Sequence, residues 1–351
     1  MTERPSVKLV AKVLLGLIVV AGLAVATRQA MLQWGDRQAE LIAAAAEVDE
    51  AIDREKDPQQ RDLLVAHREE LLRSVPRLQN LNWPRIGIAS LLYLLSLVPG
   101  GVVLCEASRA IGHRVDLRQA ISAQVVGHLG KYVPGKAMVV VMRAARLRSA
   151  NVPIVSGSIA VVMETLLMMA VGAAIAGVLV LWLPVPRWIA GCSIIGASVA
   201  LLPTFPPLLS RVLRRLRPQD SPTDLRSSWR FFVQAWFWQA VAWALIGASF
   251  TCLVTSLPGG TNDSSWQTIV IASTASIALA MVAGFVSLLP GGAGVRELTL
   301  AIVLAPVVGQ TQALLGAIAA RFLFIAVELI AAGLVYAVER SSSSRTIEAS
   351  T

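Results

Sequence analysis

The sequence predicts an all-α protein whose helices cross a lipid bilayer several times. Of its 351 residues, 55% are hydrophobic and only 15% are charged, whereas soluble domains contain about 25% charged residues. Apolar runs approach or exceed the roughly 17 to 25 residues that a helix needs to cross hydrocarbon: Val152–Leu183, Trp188–Leu202, Phe231–Leu257 and Thr311–Val338. The runs lack the polar and apolar alternation of membrane barrels, so helices are predicted.

The net charge of +9 is better explained by orientation in the membrane than by nucleic-acid binding. The basic residues collect in short segments between the apolar runs, which favours a cytoplasmic position for those segments. The residues before the N-terminal apolar run are Arg4, Lys8 and Lys12, and those after the next apolar run are Arg109, Arg114 and Arg118. A later loop contains Arg211, Arg214, Arg215 and Arg217. We therefore expect an integral protein of the cytoplasmic (inner) membrane with both termini in the cytoplasm and no nucleic-acid partner.

The N-terminal part divides into an anchor and a polar segment. Residues 1–27 contain the apolar run Val13–Ala26, which predicts a membrane anchor; a cleaved signal is the alternative, because Ala24-Val25-Ala26 is typical of a signal-peptidase site. Residues 28–82 carry two helical patterns broken near Asp57-Pro58 and predict a hairpin outside the cytoplasm. A self-packed appendage and a docking site for a protein partner are both open for this hairpin.

Residues 83–338 are expected to form the transmembrane domain, followed by a disordered cytoplasmic tail at residues 339–351. Pro-Gly pairs interrupt the apolar runs at Pro99, Pro258 and Pro290. The first two fit the ends of loops. The third does not, because apolar sequence continues on both sides of it.

Two segments predict re-entrant hairpins, in which a helix enters the membrane and the next returns to the same side. The arms and turns are Gln119–Val133 and Ala137–Leu147 around Pro134-Gly135, and Gln267–Leu289 and Leu298–Val308 around Pro290-Gly291. We expect the first hairpin to enter from the cytoplasm and the second from the opposite side, with about six full spans around them. The two units would then be related by inversion, as in transporters that bind substrate at broken helices near the midplane.

These segments resemble the flippase-like family that includes the transmembrane domain of lysylphosphatidylglycerol synthases. The resemblance covers roughly Trp83–Val338, and the residues that carry it are Gly130–Lys136, Arg143, Glu164, Leu289–Glu297 and Arg321. It implies a membrane protein that moves or handles polar lipids and contains re-entrant helices. No soluble aminoacyl-transfer domain follows Val338, so lipid synthesis itself is not expected. The hairpin at residues 28–82 carries no motif of the family and is interpreted as an addition.

Ionisable residues inside the predicted membrane segments are the candidate functional groups, since an unpaired charge in a bilayer is costly. The candidate substrate-binding residues are Lys131, Lys136, Arg143, Glu164, Arg296, Glu297, Arg321 and Glu328, and the candidate helix-break turns contain Pro134, Gly135, Pro290, Gly291, Gly292 and Gly294. Glu164 and Arg321 are expected near the midplane, and Glu328 lies two helical turns beyond Arg321 on the same face. Arg296 opens the helix after the glycine turn and is the predicted contact to a headgroup phosphate.

Structural roles remain open for some of these residues. Lys136 and Arg143 fall on one face of a short helix with Arg146, where basic side chains also reach anionic headgroups without binding a substrate. Glu164 and Arg321 fit a structural ion pair as well as a substrate or proton path. A substrate role and a structural role therefore stand side by side for each.

The predicted function is translocation of polar, phosphate-bearing lipids, because the sequence offers cations for a phosphate, apolar walls for acyl tails and broken helices between them. A membrane-embedded lipid-modifying transferase and an accessory or scaffold protein are the alternatives. The histidines are scattered, at His67, His113 and His128, and no catalytic motif appears. No metal or cofactor is predicted, and the expected partners are membrane lipids with anionic headgroups. His128 fits a packing role as well as a proton carrier.

Overall fold

Every regular element in the described part of the chain is helical, which confirms the predicted all-α membrane class. The computed structural model describes residues 7–75, 79, 81–132, 137–204, 207, 226–257, 264–287 and 294–348. The α-helices of these residues are α1 (Val7–Arg54), α2 (Pro58–Ser74), α3 (Trp83–Ala110), α4 (Leu117–His128), α5 (Ala137–Leu147), α6 (Ile154–Leu179), α7 (Arg187–Leu201), α8 (Arg226–Val254), α9 (Trp266–Val286), α10 (Val295–Val308) and α11 (Gln310–Glu348). A 3-10 turn, Leu129–Tyr132, continues α4.

The described helices include five that are long and apolar enough to cross a bilayer. They are Trp83–Ala110, Ile154–Trp182, Trp229–Val254, Trp266–Val286 and Gln312–Arg340, and α7 is apolar but shorter. Large apolar side chains on these spans are exposed, among them Leu91 at 55%, Phe237 at 60% and Ile330 at 62%. Contiguous exposed apolar surface of this kind is typical of contact with acyl chains. The chain is therefore an integral membrane protein.

Helix α8 is the centre of the packing. Its Ser249 hydroxyl donates to the Ala89 carbonyl of α3 at 2.7 Å, and Arg85 at the start of α3 donates to the Thr255 carbonyl at 2.9 Å. On the other side, the fully buried Trp243 donates its indole N–H to the Met168 carbonyl of α6 at 2.9 Å. These contacts hold α3, α6 and α8 together as a frame for the charged residues described below.

The polar segment forms the predicted helical hairpin, made of the C-terminal half of α1 and of α2. The break falls at Asp57, whose side chain accepts a hydrogen bond from the Gln59 amide at 3.1 Å and so caps α2. Leu41, Ala45 and Ile52, apolar residues at helical spacing in the first arm, are buried. The side of the membrane on which this hairpin lies stays a prediction.

The boundary between anchor and hairpin at residue 28 is not a structural break. Helix α1 runs without interruption for 48 residues, through Ala26 and on to Arg54, because the sequence around residue 28 has neither a proline nor a helix-ending glycine motif. The anchor and the first hairpin arm are one helix, about 72 Å long at 1.5 Å per residue.

Two further expectations are wrong. Pro99 does not end a helix but lies inside α3; the glycines after it let α4 approach so closely that a Cβ on Gly101 would lie 2.8 Å from the Ile121 Cα, and small residues at such contacts are common in membrane helices. The C-terminal tail is also helical as far as Glu348, since extending a long helix requires no new nucleation.

The arms of the two predicted hairpins differ in length. Helices α4 and α5 have 12 and 11 residues, about 18 Å and 16 Å at 1.5 Å per residue, so neither crosses hydrocarbon about 30 Å thick. Helix α10 is also short, with 14 residues, but α9 has 21 and is long enough to cross. Both turns, at Pro134-Gly135 and Pro290-Gly291, lie outside the described residues, and the re-entrant paths stay predictions.

Candidate functional site

Glu164 of α6 is fully buried and forms an ion pair with a buried arginine. The Arg143 guanidinium of α5, itself 4% exposed, donates from Nη1 to Glu164 Oε2 at 2.7 Å. The side-chain amides of Gln124 from α4 and Gln239 from α8 donate to Glu164 Oε1 at 3.2 and 3.3 Å. Four helices therefore meet at one carboxylate inside the protein.

Two glycines make room for this meeting. A Cβ on Gly127 of α4 would lie 2.1 Å from the Arg143 Cγ, and a Cβ on Gly100 of α3 would lie 2.3 Å from the Gln124 amide nitrogen. Arg143 thus crosses directly over the α4 backbone to reach its partner. This also corrects the view of Arg143 as one of a row of cations at the membrane surface, because it turns inward and is paired.

Some polar atoms beside Glu164 have no partner within the described part of the chain. They are the Gln124 and Gln239 Oε1 atoms and the Arg143 Nε, all buried. Buried polar atoms are nearly always hydrogen-bonded in proteins. This cluster therefore has capacity for further hydrogen bonds, whether to ordered water or to a polar ligand group.

Glu328 of α11 is the second fully buried carboxylate. Its Oε1 accepts from the Lys131 ammonium and from the Tyr93 hydroxyl, and its Oε2 accepts from the Tyr132 hydroxyl at 3.0 Å. The His128 Nδ1 lies 3.9 Å from the same carboxylate. The 3-10 turn after α4 thus supplies two of the donors, α3 supplies a third, and α4 supplies the histidine.

An aromatic stack connects Glu328 to the start of α10. The Tyr93 ring lies on the Phe324 ring of α11 with centroids 3.9 Å apart, and the Arg296 guanidinium lies over the same Phe324 ring at 5.0 Å. Arg296 of the second predicted hairpin therefore lies within electrostatic range of Lys131 and Tyr132 of the first.

The first turn of α10 holds a third ion pair. Arg321 of α11 donates to Glu297 Oε1 at 2.7 Å, and Glu297 Oε2 accepts from the Gly294 amide at 2.7 Å. Gly294 has a φ of 82°, which favours glycine at this position. Glu297 thus caps its own helix and fixes Arg321, while Arg296 beside it extends to the aromatic stack.

The interior has one more cation than carboxylates among the described residues. The pairs are Arg143 with Glu164, Lys131 with Glu328, and Arg321 with Glu297. Arg296 forms no ion pair with a described carboxylate, and its partly buried Nη2 atom has no hydrogen-bond partner there. Because an uncompensated charge inside the membrane is costly, this arrangement suits one bound anion.

A separate site near the C-terminal end of α5 is lined by two arginines and two carboxylates, Arg118, Arg146, Asp116 and Glu339. Arg146 donates to Glu339 Oε2 at 2.6 Å and to the Ser122 hydroxyl at 2.8 Å, and its guanidinium lies 5.0 Å over the Tyr336 ring. It lines a groove of about 990 Å³ that has polar walls from α4 and α5 and apolar walls from α11. The groove has the amphipathic lining that a lipid headgroup with its tails requires.

The structure brings most of the predicted site residues into these clusters. Lys131, Arg143, Glu164, Arg296, Glu297, Arg321 and Glu328 all lie there, whereas Lys136 lies outside the described residues. Arg321 and Glu328 share a helix face, as predicted, but they contact different partners. The electrostatic range of Arg143 reaches Lys131 and His128, which links the two clusters.

Sequence reasoning missed the tyrosines and the glutamines. The chain has only three tyrosines, and all of them contact a charged cluster, Tyr93 and Tyr132 at Glu328 and Tyr336 at Arg146. Their rarity in an apolar chain was a usable signal. Gln124 and Gln239 are polar amides inside apolar runs, which was a comparable signal.

These features define a polytopic membrane protein with a charged interior between short helices. Residues 62–332 match the family described as the transmembrane region of lysylphosphatidylglycerol synthases, and the chain belongs to this family, as the sequence resemblance indicated. It is accordingly a membrane protein related to lipid handling. The match begins inside α2 and so includes most of the second hairpin arm, for which the sequence suggested no family motif. A comparison with curated proteins gave no match.

Proposed function

We propose that the protein moves phosphate-bearing lipids between the two leaflets of the cytoplasmic membrane, with the headgroup passing through the charged interior and the acyl tails remaining in lipid. The observation that carries this proposal is Arg296, the interior cation that has no carboxylate partner among the described residues. A lipid phosphate supplies the missing negative charge.

The geometry around Arg296 supports a phosphate rather than a fixed protein partner. The Arg296 guanidinium lies over the Phe324 ring with its Cζ 5.0 Å from the centroid, a contact that positions the fork of N–H donors without using all of them. Arg296 lies in the first turn of α10, whose start Glu297 already caps, so the guanidinium itself is the donor that remains for a phosphate. Lys131 is within electrostatic range and is 24% exposed at its side chain, so it is available as a second cation.

The remaining features provide a path to this position. The groove beside Arg146 offers a first binding place for a headgroup at the end of the bundle that the charge pattern predicts to be cytoplasmic. Its apolar wall from α11 continues toward the exposed face of the same helix, which carries Leu334 and Ile330. Acyl tails can follow this face while the headgroup moves inward toward Lys131 and Arg296.

The test is leaflet exchange of labelled lipids in vesicles that contain the purified protein. Arg296→Gln keeps a polar side chain but removes the permanent charge, and the matched control is Arg148→Gln, which changes an exposed arginine. We expect Arg296→Gln to slow exchange by about tenfold or more, because a hydrogen bond to a charged group contributes about 1.5 to 3 kcal/mol and 1.4 kcal/mol corresponds to tenfold.

Glycerophospholipids and isoprenoid phosphates should be assayed separately, since both carry the phosphate that the site requires. Wild-type protein that exchanges neither lipid faster than empty vesicles would overturn the proposal. An Arg296→Gln protein that exchanges lipid as fast as the Arg148→Gln control would remove Arg296 from the mechanism.

A further inference from the structure

Glu328 is placed where a change of partner would force a change of protonation. It lies 12 residues before Arg340, the end of its span, about 18 Å into the membrane at 1.5 Å per residue. It has no exposed surface, and the cation that balances it is Lys131. A carboxylate at this depth is stable as an anion only while that cation stays.

Lys131 is the interior cation best suited to leave its partner. Its side chain is 24% exposed, compared with 5% for Arg143 and 14% for Arg321. The ammonium sits on a flexible four-carbon stem, on a short 3-10 turn that directly precedes the first Pro-Gly segment. It also lies within range of Arg296, where the proposed function places the phosphate.

We propose that Glu328 takes up one proton each time Lys131 moves from it to a lipid phosphate, and that lipid passage is thereby coupled to proton movement. This inference rests on the proposed function and adds a proton that is bound and released with each lipid. In the step, the Lys131–Glu328 ion pair breaks, the lysine ammonium pairs with the phosphate, and a proton from water converts the carboxylate to a carboxylic acid. When the lipid leaves, the lysine returns and the proton is released.

The groups around Glu328 suit a proton carrier. Tyr93 from α3 and Tyr132 from the 3-10 turn hydrogen-bond to its two oxygens. Both can stay in place after protonation, because one hydroxyl then donates to the carbonyl oxygen while the other accepts from the new O–H. His128 of α4, 3.9 Å away and 13% exposed, is a nearby imidazole that can pass on a proton.

The other charged groups nearby do not replace Lys131. Arg143 of α5 is within range of His128 and Lys131 but is bound to Glu164, and Arg321 of α11 is bound to Glu297. On α1, which also packs on the 3-10 turn, Arg37 is paired with Glu40. Arg296 of α10 remains beside the phosphate. Departure of Lys131 therefore leaves Glu328 without a compensating cation.

Glu164 provides the internal contrast. It is buried to the same extent, but its partner Arg143 is almost fully enclosed. The side-chain amides of Gln124 and Gln239 also donate hydrogen bonds to it. An arginine also stays charged under all relevant conditions. Glu164 is therefore a fixed structural anion, whereas Glu328 changes state.

Proton uptake on lipid binding tests the inference directly. Purified protein in weakly buffered detergent receives short-chain phosphatidylglycerol, whose phosphodiester does not titrate near neutral pH, and a pH-sensitive dye reports protons while calorimetry reports binding. Wild-type protein should take up about one proton per bound lipid, and by linkage its affinity should rise by up to about tenfold per unit fall in pH. Glu328→Gln should bind the lipid without proton uptake and without this pH dependence.

The matched control is Glu106→Gln, which changes a partly exposed carboxylate of α3 and should take up protons as wild type does. Lipid binding by the wild type without proton uptake overturns the coupling and leaves the proposed function standing. Absence of binding for both phosphatidylglycerol and an isoprenoid phosphate overturns the proposed function itself. The wild-type result decides between these outcomes even if Glu328→Gln fails to fold, and Lys131→Met offers a second variant that should show no uptake.

Discussion

Replacing Gly127 by alanine tests whether the buried ion pair between α5 and α6 depends on close contact with α4. The new Cβ would stand 2.1 Å from Arg143 Cγ and 3.0 Å from its Cδ, and Cγ is too near the backbone to move away without changing the side-chain rotamer. Arg143 would then lose its 2.7 Å contact with Glu164, and a fully buried carboxylate would keep only amide and hydroxyl donors.

The expected cost follows from the loss of one partner of a buried pair, about 3 to 5 kcal/mol. Alanine offsets at most about 1 kcal/mol of this, because it is the better helix former. The free energy of unfolding should therefore fall by about 2 to 4 kcal/mol. Gly191→Ala is the control, since a Cβ there meets nothing within 4 Å, and it should be neutral or slightly stabilising.

The assay is reversible unfolding in mixed detergent micelles, followed by circular dichroism. The Gly127→Ala change should also be repeated in an Arg143→Met background, where the charged partner is already gone and most of the cost should disappear. Equal stability of Gly127→Ala and Gly191→Ala would refute the reasoning, and so would an undiminished cost in the Arg143→Met background.

Three further predictions concern the core and the orientation. Tyr93→Phe removes one donor to Glu328 while keeping the ring, so it should lower the free energy of unfolding by about 2 kcal/mol; a neutral result would exclude a strong bond to this carboxylate. Gly172→Ala should also destabilise, because its Cβ would stand 2.3 Å from a buried tryptophan ring, and unfolding midpoints indistinguishable from wild type would argue against that packing. A cysteine placed at Gln59 should react with an impermeant reagent in intact cells and one at Ser227 should not, whereas the opposite pattern would invert the proposed topology.

Much of the architecture could be predicted because it depends on local patterns. Three of the apolar runs correspond to helices long enough to span, Val152–Leu183, Phe231–Leu257 and Thr311–Val338, whereas Trp188–Leu202 forms only the shorter α7. The Asp57-Pro58 break located the hairpin because the cap and the proline act within one turn. The prediction that Pro99 ends a helix was wrong because its effect depends on tertiary packing. Gly100 and Gly101 beside it contact α4, and no local sequence pattern indicates that contact. The chain continuity at residue 28 was missed for a related reason, since a change in polarity does not end a helix.

The site could be predicted by residue type but not by partner. Depth in an apolar run singled out Glu164, Arg321 and Glu328 on energetic grounds that need no structure. Their pairing required tertiary contacts between helices distant in sequence. Glu164 and Arg321 are both in ion pairs, but with Arg143 and Glu297 and not with each other.

The central claim is that a lipid phosphate enters the charged interior at Arg296, and the position of that phosphate tests it most directly. The measurement is an experimental structure of the protein in lipid nanodiscs that contain an anionic phospholipid, with headgroup density resolved. The account predicts a phosphate within hydrogen-bonding distance of the Arg296 guanidinium, with Lys131 turned toward it and away from Glu328. Phosphates found only at the two membrane surfaces, with Arg296 paired to a protein carboxylate, would contradict it.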